Sequence, residues 1–134
     1  MEILKLLNNG GVPMLDFLFV AVVIGLIYFW WTKRNSTKIV STDELKQKIA
    51  EERNIQLLDV REPHEYKGGH IKQAKNVPLS GFGNATAQYP KDKERPVYVI
   101  CQSGMRSQRA AAMLKSAGYT DVYSVKGGMS FWRG

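Results

Sequence analysis

Apolar and polar residues are laid out along this chain in two different ways. From Val12 to Trp31 the sequence reads VPMLDFLFVAVVIGLIYFWW, twenty residues with Asp16 as the one charge. A helix rising about 1.5 Å per residue needs roughly 20 residues to cross a bilayer core. The segment meets that length with Asp16 near the headgroups, and Tyr28, Phe29, Trp30 and Trp31 close it with the aromatic cluster of a membrane interface. A buried core helix would not end in one-sided aromatics followed at once by Lys33 and Arg34. A cleaved signal peptide would carry a small-residue site, for which Trp30-Trp31-Thr32 is a poor match. The pattern predicts a retained single-pass anchor within residues 1–35, spanning about 12–31. Lys33, Arg34 and Lys38 outweigh Lys5 and the terminal amine, so the positive-inside rule puts the N-terminus outside the cell membrane and the rest of the chain in the cytoplasm.

Residues 36–134 follow a different rule, with short apolar runs alternating with helical stripes. Lys38-Ile39-Val40 reads as a short strand. Ser41 with Glu44 three residues on forms a capping box, opening a helix to about Arg53 with Leu45, Ile49 and Ala50 as its buried stripe. Ile55 to Val60 is a nearly continuous apolar run, as expected of a strand covered on both faces. Pro63 starts a short helix ending near Gly68-Gly69, and Lys75 to Pro78 is another strand. Leu79 to Arg95 is irregular, with about one turn of helix. Pro96 to Ile100 is the clearest strand, Arg106 to Ala117 a helix capped by Gly118, and Asp121 to Val125 the last strand. Gly127-Gly128 precedes a final turn ending at Phe131-Trp132. The alternation predicts an α/β domain, a parallel sheet with helices on both faces, preceded by one transmembrane helix.

Composition narrows the chemistry. The 134 residues contain one cysteine, which excludes an intramolecular disulfide and any multi-thiolate metal cluster. The net charge of +7 becomes +8 without residues 1–32, which hold Lys5, Glu2 and Asp16. The basic residues are scattered, with no interleaved aromatic platform, so they point to a surface beside anionic lipid and not to nucleic acid. Asn35-Ser36-Thr37 and Asn84-Ala85-Thr86 match the N-glycosylation pattern by chance on a cytoplasmic domain.

Ligands of parallel sheets bind beyond the carboxyl ends of the strands. Cys101 stands there, leaving an apolar strand for the loop Gln102-Ser103-Gly104-Met105-Arg106-Ser107 and the helix that follows. Free amides and the dipole at that helix start favour an anion and depress a cysteine pKa. Gly104 lets the loop curl, and Arg106 brings a planar fork of donors. The competing view is a buried, inert thiol, which the polar loop disfavours. His64 and His70 lack spaced partners for a metal site, and His70 reads as hydrogen-bonded structure.

Several stretches in order carry a resemblance. Leu57 to Glu62 with Glu65-Tyr66 and Gly69-His70-Ile71, the element Ala74 to Pro78, the loop Cys101 to Ser107, and Gly118-Tyr119 through Gly127-Gly128 to Trp132 together resemble the rhodanese family over residues 37–134. The resemblance implies a sulfurtransferase that needs no metal or cofactor, with Cys101 as nucleophile. It would take sulfane sulfur from a small anionic donor such as thiosulfate, or from a persulfide, and pass it to a thiol, a protein acceptor or cyanide. The amides from Gln102 to Ser107, through Ser103, Gly104 and Met105, would hold the transferred sulfur, and Arg106 would draw in the donor. Arg61 is expected to pair with Glu65, and Asp59 to fix the neighbourhood by hydrogen bonds. Related phosphatases and arsenate reductases have five residues between cysteine and arginine, against four here, and the tighter loop suits sulfur. A catalytically silent, membrane-tethered binding module is the non-enzymatic alternative.

Overall fold

A computed structural model describes residues 13–34 and 37–134 of the chain. The chain divides into two units, residues 1–34 and 35–134. Val12 and Lys5, and Asn35 and Ser36 of the first glycosylation pattern, lie outside the described residues.

In the first unit, helix α1 (Met14–Arg34) contains a 19-residue stretch, Met14–Thr32, of mean hydropathy 2.1, long and apolar enough to cross a membrane. Apart from half-buried Val23, its large apolar side chains are exposed, from Val20 at 52% to Met14 at 82%. A helix that packs on a soluble core hides one stripe and shows a polar face, and α1 does neither.

The second unit contains β1 (Lys38–Val40), α2 (Thr42–Glu51), β2 (Gln56–Asp59), α3 (Pro63–Lys67), β3 (Lys75–Asn76), β4 (Val97–Ile100), α4 (Met105–Ser116), β5 (Val122–Val125) and α5 (Gly128–Phe131). Two 3-10 segments, Leu79–Asn84 and Thr86–Gln88, lie between β3 and β4. The strands form one parallel sheet in the order β1-β5-β4-β2-β3. All four residues of β4 are buried, as a central strand covered on both faces requires.

Alternation along the strands sorts their side chains between two cores. Val97 and Val99 join Leu58, Phe82, Ala110, Leu114 and Val122 on the side of α4. Tyr98 and Ile100 join Leu45, Leu57, Ile71 and Val125 on the other. Cys101 continues the phase of Val97 and Val99, so the strand delivers its thiol to the side where α4 begins. In register, Asp59 lies opposite Ile100 and Ser124 opposite Val99, which gathers Asp59, Cys101 and the end of β5 at one edge of the sheet.

Three expectations change in detail. Helix α2 stops at Glu51, and its stripe is narrower: Leu45 is buried and Ile49 half-buried, but Ala50, about 100° round the helix from Ile49, faces solvent. Regular pairing in the second strand starts at Gln56, although the amide of Val60 still donates to Ile100 O at 3.0 Å. The segment after Pro78 is more ordered than a single turn, because Phe82 is fully buried under α4 and its carbonyl accepts from Tyr89 Oη at 2.7 Å. Burying one such ring stabilises the fold by roughly 1.5–3 kcal/mol, enough to pin a short segment.

Candidate active site

The loop after β4 closes over its own cysteine. Cys101 is fully buried, and its Sγ accepts a hydrogen bond from the Gly104 amide at 3.0 Å. That turn needs φ of +107° at Gly104, a left-handed conformation that a side chain would strain. Ser107 Oγ lies 3.5 Å from the sulfur, donates to Gly104 O at 3.0 Å, and is 2.8 Å from Ser124 Oγ on β5. Burial alone pushes the Cys101 pKa up. The Ser107 hydroxyl and the amides of Ser107, Gly104 and Ser103 outweigh it, and the thiol sits below its ordinary value.

The C-terminal turn supports the loop from behind. Met129 N donates to Cys101 O at 2.8 Å, and Ser130 N to Gln102 O at 3.0 Å. This approach requires glycine at 128, where φ is +54° and a Cβ would collide with the Cys101 carbonyl. The sequence showed Gly127-Gly128 as a turn but not as the seat of the loop. Ser124 was missed altogether, and the signal for it is a hydroxyl on an inward-facing position of an otherwise apolar strand.

Two ion pairs flank the cysteine, and they differ from the pairing expected from sequence. Arg61 pairs with Asp59, not with Glu65. The Asp59 carboxylate, fully buried, accepts from the Arg61 amide at 3.0 Å, from Nε at 3.0 and 3.1 Å, and from Nη2 at 2.8 Å. The chain turns back just past β2, and a buried carboxylate takes the cation two residues away. Arg61 also donates to Gly69 O at 2.8 Å and, from Nη1, to Gln102 Oε1 at 3.4 Å, which ties the buried pair to the cysteine loop. Asn76 Nδ2 fastens the same turn through the carbonyls of Asp59 and Arg61.

Glu65, on the first turn of α3, binds Arg106 instead, at 2.6 Å and 2.9 Å, and accepts the Glu62 amide at 3.1 Å. The Arg106 hydrogen bonds dominate over desolvation and hold the Glu65 carboxyl down at about 2. Arg106, expected as a free donor fork, therefore has both terminal nitrogens occupied. Gln102, Ser103 and Met105 are exposed around the loop, Met105 at 80%. His70 stacks on Tyr66 with ring centroids 3.7 Å apart, and its Nδ1 is 2.8 Å from Tyr66 O. Among the described residues no group of three or more His, Cys, Asp or Glu side chains is placed to hold a metal ion.

A buried, acidified thiol in a ring of amides, at the carboxyl edge of a five-stranded parallel sheet, is a nucleophile's environment. Residues 41–134 match the family described as Rhodanese-like domain. The chain belongs to the rhodanese family. Its rhodanese domain is similar to thiosulfate sulfurtransferase GlpE of Shewanella oneidensis, 36% identical over 98 residues, covering 73% of this chain and 94% of the relative. Among solved structures it resembles a rhodanese-like domain protein from Staphylococcus aureus, with a TM-score of 0.65 and 33% identity over 72% of this chain and 92% of the other. The Bacillus subtilis protein YqhL is 39% identical over 117 residues, 87% of this chain and 89% of its own length. That span is longer than the rhodanese domain, so the similarity to YqhL runs into the apolar helix α1.

Proposed function

We propose that the protein is a membrane-anchored sulfurtransferase working through a persulfide on Cys101. The observation that carries this is the thiol itself, fully buried, accepting an amide hydrogen bond at 3.0 Å, and lowered in pKa despite its burial. In the first half-reaction the Cys101 thiolate attacks the outer sulfur of the donor. A new S–S bond forms on Cys101, the donor's own S–S bond breaks, and its electron pair leaves with sulfite or with a carrier thiolate. In the second half-reaction an acceptor thiolate, or cyanide, takes the outer sulfur and Cys101 departs as thiolate. The amides of the loop from Gln102 to Ser107 hold the outer sulfur between the two steps, as the Gly104 amide already holds the Cys101 sulfur. Asp59 and Arg61 keep the loop in register through Gln102.

The similarity to named thiosulfate sulfurtransferases supports the class of reaction, and the four-residue spacing from Cys101 to Arg106 favours sulfur over a phosphate or arsenate centre. Helix α1 is the anchor, with the rhodanese domain on the cytoplasmic side by the charge bias of its flanks.

The test is intact-mass measurement of the full chain in detergent micelles before and after thiosulfate or a small persulfide. A gain of about 32 Da, absent in Cys101→Ser, is the expected result. No gain from either donor overturns the proposal. For the topology, labelling of Cys101 by a membrane-impermeant maleimide in intact cells would reverse the assigned orientation.

A further inference from the structure

Arg106 and Arg61 are the two guanidiniums tied into the walls of the cysteine loop, and each is already matched by a carboxylate. Arg61 has a side chain 5% exposed and is locked to Asp59. Arg106 is held by Glu65 through both Nη atoms, at 2.6 Å and 2.9 Å, and this pair is partly open to solvent, at 33% and 24% exposure. A carboxylate bound side-on to a guanidinium takes the positions that two oxygens of a sulfonate-type group would take. Glu65 thus occupies, from within the chain, the cation that the anionic end of thiosulfate would seek. Its place is fixed independently of any ligand, because the Glu62 amide donates to the same oxygen that meets Arg106. Glu62 adds a further carboxylate at this end of α3, where its side chain accepts from Ser80 Oγ at 3.2 Å.

An incoming dianion therefore finds the Arg106 guanidinium already matched by Glu65, with the Glu62 carboxylate at the same end of α3. A sulfane sulfur delivered on a thiol carrier carries one negative charge at most on its reacting end, and the loop amides serve it without help from Arg106.

We infer that Glu65 is a specificity-determining residue, which by occupying Arg106 turns the Cys101 site away from thiosulfate and toward persulfides borne on thiols. The inference rests on the sulfur-transfer reading and names its donor class. Transfer from such a donor balances without an added oxidant: the Cys101 thiolate takes the outer sulfur, and the carrier leaves as its thiolate.

The experiment compares thiosulfate with cysteamine persulfide, which is net neutral near pH 7, as donors to the full chain in detergent micelles. The readout is the rate of mass gain on Cys101. A charge-assisted hydrogen bond released for the substrate is worth about tenfold, so Glu65→Gln should raise kcat/KM for thiosulfate about tenfold, mainly through KM. The same variant should change the persulfide rate less than about twofold, since that donor makes no use of the freed guanidinium. Glutamine keeps an oxygen for the Glu62 amide, which preserves the start of α3. Glu65→Asp retains the charge and should keep the wild-type donor ratio. A purely structural role for Glu65 would move both donors together, and that result overturns the inference. A rise in the ratio for Glu65→Asp as large as for Glu65→Gln overturns it too. Mass gain from neither donor in the wild-type chain would instead defeat the sulfur-transfer reading itself, and it is seen before any ratio is taken.

Discussion

The Asp59–Arg61 and Glu65–Arg106 pairs have the same chemistry, sit on the same cysteine loop, and differ in their access to water. The first is almost completely buried, with its carboxylate accepting four hydrogen bonds from a single arginine. The second is a quarter to a third exposed. Desolvation makes the buried pair irreplaceable by halves, because removing one partner strands a charge where no water reaches it. The exposed pair is exchangeable, since water or a ligand can stand in for either partner. One pair is thus suited to holding the loop and the other to choosing what enters it.

The sharpest way to break this contrast is Asp59→Asn, which leaves the Arg61 guanidinium buried and unpaired. It should cost about 3–5 kcal/mol in urea denaturation of the full chain in micelles. A loss no larger than that of Glu65→Gln would erase the distinction. The exposed pair should be worth about 1 kcal/mol or less at neutral pH. Its contribution has a defined pH window. The Glu65 carboxyl is held at about 2 in the folded chain against an ordinary 4.5, so its stabilisation is present above pH 4.5 and is lost as pH falls toward 2. Wild type and Glu65→Gln should therefore differ in urea midpoint at pH 6 and converge near the acid end. The effect on the sulfur is smaller. Cys101 is lowered partly by the Ser107 hydroxyl, so Ser107→Ala should move the pH midpoint of iodoacetamide alkylation upward, with alkylation falling away as pH drops through that midpoint. Ser124→Ala should give the smallest shift in the same direction, as it touches the sulfur only through Ser107.

How far each of these residues was legible in the sequence follows from whether its role is local. Cys101 and its loop were legible because an apolar strand ending in a cysteine, a glycine and an arginine is written in consecutive residues. The parallel sheet was legible from alternation alone. Arg61 was expected to pair with Glu65 as part of the family resemblance, but Arg61 lies before α3 begins at Pro63, while Glu65 sits on that helix. The true partners are set by burial of Asp59 and by the approach of α3 to α4, which places Glu65 beside a residue 41 positions away. Ser124 reaches the site only through the β4–β5 register. Ala50 failed for the opposite reason, since a ten-residue helix needs a narrower stripe than the pattern offered.

The hydrogen bonds from Met129 and Ser130 to the carbonyls of Cys101 and Gln102 make the last helix and the cysteine loop a single cooperative unit. Any displacement of the Cys101 peptide is felt first at two amides near the end of the chain. Their exchange with deuterium therefore acts as a built-in clock of the loop, slow while the loop is closed and quickened whenever it opens.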